Sequence, residues 1–135
     1  MRTLYQNPYI NVYLHETSHR TLEMQWLDFV PSKDFRASLN EVLRLARQLP
    51  NLRAWIPDNR LLRAVRPADL DWCGTDIMVP MSELGVRRLA AVESQDAINR
   101  MGVNALLTAI IPNTQLTHHA FPTIEEARAW ATANF

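Results

Sequence analysis

The sequence predicts an α/β domain in which a mixed sheet of about five strands carries helices packed against it. Two runs of alternating residues follow one another near the start of the chain, as in a hairpin. The later strand-like runs are separated by segments with helical spacing, which favours parallel pairing. The predicted order is β-β-α-β-α-β-α-β-α. At 135 residues the chain has the length of one domain, and we expect residues 1–135 to form a single one.

The first two strands are predicted to pair antiparallel. Residues 9–15 alternate in the manner of a half-buried strand, and their apolar face carries Ile10, Val12 and Leu14. Residues 21–27 repeat the pattern with Leu22, Met24 and Trp26. The polar residues 16–20 between them have the length of a hairpin loop.

The middle of the chain reads as a helix, a strand and a second helical region. Ser32 is expected to cap an amphipathic helix that runs to about Gln48 and is stopped by Pro50. A short apolar strand follows over residues 52–57, and Pro57 is expected to end it. Pro67 suits a first helical turn, and Pro80 predicts a kink or restart that divides this region into two pieces.

The last part of the chain predicts two strands and two helices. Residues 88–92 and 115–121 are apolar or β-prone runs. Ser94 is expected to cap the helix between them, whose apolar stripe comprises Ile98, Met101, Ala105, Leu106 and Ala109. Thr123 to Glu126 forms a capping box ahead of the final helix.

Together with this order, four segments resemble the STAS domain, the fold of sulfate-transporter tails and anti-sigma-factor antagonists. More closely, the chain resembles the small stand-alone bacterial proteins grouped with STAS and CRAL-TRIO lipid-binding domains. The segments are WIPDNR at 55–60, PADLDW at 67–72 with Pro80 following, GVRRLAAV at 85–92 and FPTIEEARAW at 121–130. The resemblance implies a module that binds a protein partner or a small ligand and catalyses no reaction.

The chain departs from the anti-sigma antagonists at one position that matters. Their loop after the central strand carries a phosphorylatable serine or threonine at a helix N-terminus. Here the corresponding residues 58–62 read DNRLL, with no hydroxyl group. We therefore expect no phosphorylation switch.

Composition argues against several classes of partner. The formal net charge is zero, with 14 basic and 14 acidic residues, so no overall field draws the chain to nucleic acid or an anionic membrane. No apolar run approaches the length of a membrane span. Cys73 is the single cysteine, which favours a reducing compartment, and we expect a cytoplasmic protein without a cofactor.

The letters HETSH at 15–19 match the HExxH pattern of zinc metalloproteases. That pattern works on a helix, where both histidines share one face. Because the flanking residues alternate with period two, we interpret the segment as a hairpin turn and the match as chance, with no metal site. His118 and His119 are adjacent on a predicted strand, so their side chains should point to opposite faces. Cys73 lies on an apolar stripe, where a buried structural thiol is expected.

The candidate binding residues gather after the central strand. Ligands favour the crevice beyond the carboxyl ends of parallel strands, and Arg60 beside a helix N-terminus would suit an anion. We expect a ligand- or partner-binding site formed by Trp55, Asp58, Asn59, Arg60, Arg63 and Trp72, with Arg53 and Arg66 nearby. The alternative is an ordinary polar loop in which Asp58 and Arg60 pair. A cavity beneath Trp72 and Met78 would favour a small ligand.

Three functions therefore remain open. The first is a non-catalytic STAS-like protein-interaction or regulatory module. The second is a carrier or sensor of a small apolar or amphipathic ligand, and the third is a hydrolase that uses Asp58 or the histidines. We also expect a two-fold homodimer, because the hairpin should leave a sheet edge exposed and because Tyr9 and Tyr13 lie on its second face.

Overall fold

A six-stranded mixed sheet runs through the computed structural model, which describes residues 1–135. The strands are β1 (Arg2–Gln6), β2 (Ile10–Glu16), β3 (Arg20–Trp26), β4 (Leu52–Asp58), β5 (Arg88–Val92) and β6 (Thr117–Phe121). They lie side by side in chain order. The first three strands pair antiparallel, and β3 to β6 are parallel. The class and the antiparallel hairpin are as predicted.

Helices cover both faces of this sheet. They are α1 (Ser32–Ala46), α2 (Pro67–Cys73), α3 (Val79–Glu83), α4 (Ala97–Ile110) and α5 (Ile124–Thr132). The first four pack on one face over the larger core, and α5 packs on the other. A π-helical turn over Gly74–Met78 joins α2 to α3. The break predicted at Pro80 thus takes the form of a wider turn, in which the Val79 N–H donates to the Gly74 carbonyl five residues back.

The larger core follows from the alternation in the hairpin. The apolar side chains predicted to share one face are all buried, and all but Leu14 belong to this core: Ile10, Val12, Leu14, Leu22, Met24 and Trp26. Trp26 stacks on Phe35 of α1 with ring centroids 5.2 Å apart. On the opposite face small residues allow α5 to approach the sheet closely, with Ala54 and Ala90 meeting Ala127 and Ala131.

The first strand was not predicted, and its presence changes the edge of the sheet. Residues 2–6 are mostly exposed or half-buried, so their pattern carries little signal, yet their backbone pairs with β2. The expectation that the hairpin leaves a free edge is therefore wrong, because β1 covers β2. The open edges belong to β1 and β6.

Two predicted serine caps are wrong. Ser32 is the first residue of α1, after Pro31, and its hydroxyl donates to Asp69 Oδ1 at 2.9 Å. Asp96 caps α4, with its carboxylate accepting from two backbone N–H groups at 3.0 Å. Ser94 instead donates to the Leu62 carbonyl at 2.7 Å. Each serine makes a tertiary hydrogen bond that local sequence cannot show.

The predicted apolar stripe of α4 is also wrong. Ile98 and Met101 are 74% and 71% exposed, whereas Asn99 and Leu107 are buried. Asn99 turns inward because its amide donates to the Leu62 carbonyl at 3.4 Å. The helix has apolar residues on both sides, so their spacing alone does not identify the buried side.

Strand ends differ slightly from expectation. The central strand β4 continues through Pro57 to Asp58, with both residues in register beside β3. Pro57 therefore lies inside the strand, one residue before its end. Thr123 caps α5 as predicted, since its Oγ1 accepts from the Glu126 N–H at 3.3 Å, but the Glu126 carboxylate does not return the second hydrogen bond of the predicted capping box.

Candidate functional site

The carboxyl edge of the parallel strands carries a surface groove of about 170 Å³. Its lining comes from the ends of β3 and β4 and from the loops that follow β4 and β5: Gln25, Trp26, Asp58, Arg60, Leu61 and Gln95. This is the position at which ligands commonly meet open α/β sheets. Of the predicted site residues, Asp58 and Arg60 line this groove.

Asp58 and Arg60 form a bidentate ion pair in this groove. Arg60 Nε and Nη2 donate to the two carboxylate oxygens at 2.9 and 2.8 Å. Asp58 is 2% exposed, and its hydrogen bond raises the pKa of Arg60. The simple pairing considered as the alternative is therefore present. Because both carboxylate oxygens accept hydrogen bonds from Arg60, neither is free to act as a general base.

The loop after β4 is held in place by the loop after β5. The Asn59 N–H donates to the Val92 carbonyl at 3.0 Å, and the Gln95 N–H donates to the Arg60 carbonyl at 3.1 Å. Two further bonds reach the Leu62 carbonyl from α4 and the loop before it. The groove is consequently built on a well-anchored backbone.

Residues 57–62 contribute to two sites at once. Asp58, Arg60 and Leu61 line the outer groove. The intervening residues Pro57, Asn59 and Leu62 line a largely apolar cavity of about 60 Å³ between the sheet and helices α1, α2 and α4. One short segment therefore separates an exposed surface from an apolar interior.

The other predicted site residues do not join the groove. Trp55 is buried and lines the largely apolar cavity. Trp72 lies half-buried on α2, with the Arg36 guanidinium 5.0 Å from its ring centroid, and does not line the cavity, although Met78 does. Arg53 lies at the beginning of β4, against the Phe135 ring at 5.1 Å. Arg63 and Arg66 are exposed.

Large apolar side chains are exposed at the same carboxyl edge. Leu61 follows the groove arginine and is 49% exposed, and Ile98 and Met101 project from the first turns of α4. The hydrogen bond from Gln95 to Arg60 joins the two segments that carry them. Sequence reasoning assigned Ile98 and Met101 to the core, and no local signal distinguished them from buried residues.

Sequence reasoning also missed a polar network on the α5 side of the sheet. Glu23 is 1% exposed and accepts two hydrogen bonds from Arg128, at 2.8 and 2.9 Å, and contacts His15 Nε2 at 2.8 Å. Burial by itself would raise the pKa of Glu23, but these hydrogen bonds outweigh it and lower the pKa to about 2. The alternation of β2 and β3 could have placed His15 and Glu23 on one face.

The HETSH segment forms a hairpin, as interpreted from its flanks. His15 contacts Glu23, and His19 Nε2 lies 2.8 Å from the Ala131 carbonyl. The two histidines are thus engaged with separate partners. No cluster of three or more potential metal-binding side chains occurs in the chain.

Cys73 and the paired histidines lie as predicted. Cys73 is buried, and burial raises its pKa to about 12, which keeps the thiol protonated. His119 is exposed and stands edge-on to Trp130 at 4.7 Å. His118 points to the opposite, α4 side and is half-buried. Burial and the neighbouring His119 lower the pKa of His118.

Comparison with known proteins identifies the fold. A crystal structure of an uncharacterised protein of the DUF3478 family with a SpoIIAA-like fold, from Shewanella loihica PV-4, resembles this chain with a TM-score of 0.60 and 14% identity. The likeness covers 95% of this chain and 98% of that one. No protein-family model and no curated protein matches the chain.

This likeness confirms the STAS resemblance at the level of fold. The SpoIIAA-like fold is the fold of the anti-sigma-factor antagonists, and the element order after β1 is the one predicted. None of the helices has the length and apolar character needed to span a bilayer.

Proposed function

We propose that this chain is a non-catalytic protein-interaction module that binds a partner at the carboxyl edge of its sheet. The observation that carries the proposal is the exposure of Leu61, which lines the groove with the Asp58–Arg60 pair, and of Ile98 and Met101 on the first turns of α4 at the same edge. Apolar side chains surrounding a fixed charged group are typical of interface patches. The hydrogen-bonded loops present these side chains on a rigid frame, which lowers the entropic cost of association.

The chemistry of the same edge supports a binding role over a catalytic one. Both oxygens of Asp58 accept from Arg60. Away from this edge, His15 contacts Glu23 of β3 and His19 contacts the Ala131 carbonyl of α5. A hydrolase would need a nucleophile or a base directed at open space. The DNRLL segment also lacks a hydroxyl group, so partner binding would not be controlled by phosphorylation there.

Differential capture from the native host tests this proposal. Immobilised wild-type protein is compared with Ile98→Glu and Met101→Glu, and bound proteins are quantified by mass spectrometry. Leu84→Glu is the matched control, because Leu84 is also exposed but lies just before β5, at the amino edge of the parallel strands. We expect a specific partner to be retained by wild type and the control and to be lost with either α4 variant.

Two results would count against the proposal. One is that no protein is enriched by wild type over an empty support. The other is that a partner is retained equally by all four proteins, which would place its contact elsewhere. Circular dichroism of each variant ensures that a loss of capture is not a loss of folding.

A further inference from the structure

The last strand, β6, leaves one side of its backbone unpaired. The Thr117 N–H donates to the Arg87 carbonyl at 2.7 Å, and the Phe121 carbonyl accepts from the Glu93 N–H at 3.1 Å. Because parallel strands bond through alternate residues, residues 117, 119 and 121 face β5. The N–H and C=O groups of His118 and Ala120 therefore point away from the sheet, where no other strand covers them.

A groove runs along this free edge, between β6 and α4. Its larger part has a volume of about 580 Å³ and an apolar lining from Leu107, Ile111 and Leu116. It continues past His118 into a smaller recess that reaches Glu93, beyond the end of β5. An edge strand beside a lined groove is the geometry in which an extended peptide adds to a sheet.

The edge at β6 lacks the features that usually protect a sheet from such pairing. Charged side chains, prolines and bulges are the common forms of protection. Strand β6 reads THHAF and keeps its register with β5 throughout. At the opposite edge, β1 begins with Arg2, and its register shifts between Thr3 and Tyr5. Of the two edges, β6 is therefore the one open to pairing.

Three carboxylates lie near the carboxyl end of β6. Glu93 is joined to Phe121 by its backbone, and Glu125 and Glu126 belong to the first turn of α5, which follows the strand. All three residues are exposed and none forms an ion pair. This end of the edge favours a basic residue in an occupant. A second copy of β6 carries no lysine or arginine that could meet these carboxylates.

We infer that β6 is a docking site for an extended segment of another protein, with basic residues at its N-terminal end and apolar side chains at alternate positions. The segment pairs antiparallel, the more stable arrangement, which places its basic end beside the carboxylates. Directly opposed residues share a face of the sheet. Segment residues that bond to His118 and Ala120 therefore direct their side chains into the α4 groove. This inference does not rest on the proposed function.

A synthetic peptide, acetyl-KKVTVTV-amide, is the probe, and acetyl-EEVTVTV-amide is its matched control. Each is titrated into the ¹⁵N-labelled full chain and followed by NMR. We expect the lysine peptide to bind with a dissociation constant on the order of 100 μM and the glutamate peptide to bind roughly ten-fold more weakly. Hydrogen exchange at the amides of His118 and Ala120 should slow when the lysine peptide binds.

Methylation of the peptide backbone tests the pairing without any change to the protein. With valines in the α4 groove, it is the valine N–H groups that donate to β6, and the threonine N–H groups point outward. N-methylation of the three valines should therefore abolish binding. N-methylation of the three threonines should leave the dissociation constant within about three-fold of the parent value.

Two pairs of protein variants locate the site. Ala120→Pro removes an outward N–H without affecting the bonds to β5 and should weaken binding at least roughly ten-fold, whereas Ala120→Ser retains the N–H and should bind normally. Asn104→Trp places a bulky ring in the groove, because the exposed Asn104 lines it. Ala105→Trp is its control, since Ala105 is exposed on the same helix outside the groove.

Three results would overturn the inference. One is that the lysine peptide does not bind wild-type protein at millimolar concentration, and another is that the two N-methylated peptides bind equally well. The third is that sedimentation shows a wild-type dimer that Ala120→Pro converts to a monomer, because a second copy would then occupy the edge.

Discussion

The carboxylate of Glu23 lies against the guanidinium of Arg128, with oxygen–nitrogen distances of 2.8 and 2.9 Å. The residues are 105 positions apart, so the pair ties strand β3 to the last helix. Glu23 is almost fully buried, whereas Arg128 reaches solvent. Breaking such a pair leaves a buried charge without compensation, which makes it sensitive to pH and to substitution.

Glu23→Gln should make the protein less sensitive to acid. The pKa of Glu23 is about 2 in the folded protein against 4.5 ordinarily. Its ionised form therefore stabilises the fold above about pH 4.5, and this contribution, about 3 kcal/mol, is lost as the pH falls toward 2. Urea unfolding measures this effect. Between about pH 5 and pH 2, the difference in the free energy of unfolding between wild type and Glu23→Gln should shrink by about 3 kcal/mol.

Glu41→Gln is the control for this measurement. Glu41 pairs with Arg44 on the exposed side of α1, and its hydrogen bond to that residue also lowers its pKa. Because such surface pairs contribute little to stability, the control should follow wild type closely. If the free energy of unfolding falls with pH equally steeply in wild type and in Glu23→Gln, the buried network does not govern acid unfolding.

His118 should destabilise the fold in mild acid. Burial lowers its pKa, and His119 lowers it further while Glu93 opposes the change. The unfolded chain therefore takes up the proton first, and stability falls as the pH drops through about 6.5, the ordinary value for histidine. His118→Gln should flatten the decline in urea midpoint between about pH 7.5 and pH 5.5.

The adjacent histidine allows a matched comparison for that decline. His119 is exposed on the other side of the same strand. His119→Gln removes only the smaller cause of the lowered His118 pKa and leaves the burial of His118 in place, so it should retain most of the wild-type pH dependence. If the urea midpoints of both variants fall with pH as steeply as that of wild type, titration of His118 does not contribute to the loss of stability.

Phe135→Ala should lower the free energy of unfolding by about 1 kcal/mol. Arg88 lies 3.8 Å from the Phe135 ring centroid and donates to the carbonyls of Trp130, Ala133 and Asn134. The edge of His19 also contacts this ring, at 4.8 Å. Through its contact with Arg88 of β5, the Phe135 ring holds the segment after α5 against the sheet. Chemical denaturation measures the effect.

Phe29→Ala separates this contact from the general effect of removing an aromatic residue. Phe29 is 55% exposed and Phe135 is 59% exposed, yet Phe29 makes no aromatic or cation–π contact. If both variants lose the same free energy of unfolding, the contact between Arg88 and Phe135 does not contribute to stability.

We propose that the chain forms a two-fold homodimer through the hairpin face that carries Tyr13. That tyrosine is half-buried, and its hydroxyl donates to Gln25 Oε1 at 3.4 Å. Tyr13→Glu would place two unpaired charges across such a contact and should dissociate it. Sedimentation at tens of micromolar distinguishes the states, with Leu84→Glu as a control at the amino edge of the parallel strands. A monomeric wild type would contradict the dimer.

Periodicity predicted most of this fold because burial on one face leaves a regular trace. The hairpin and α5 repeat apolar residues at the spacing of their own backbone, and β5 is a short continuous apolar run. Proline and the Thr123 cap mark helix boundaries through local stereochemistry. These features depend on neighbours within a few positions, so the sequence alone determined them.

Tertiary structure decided what depends on residues far apart in the chain. Strand β1 exists because β2 offers it a backbone edge, and Ile98 is exposed because Asn99 bonds to a distant loop. Likewise, the separation of Trp55 and Trp72 from the Asp58–Arg60 groove follows from how strands and helices stack. The sequence pattern indicates which residues favour burial. Which of them are buried, and against which element, depends on how all the elements pack together.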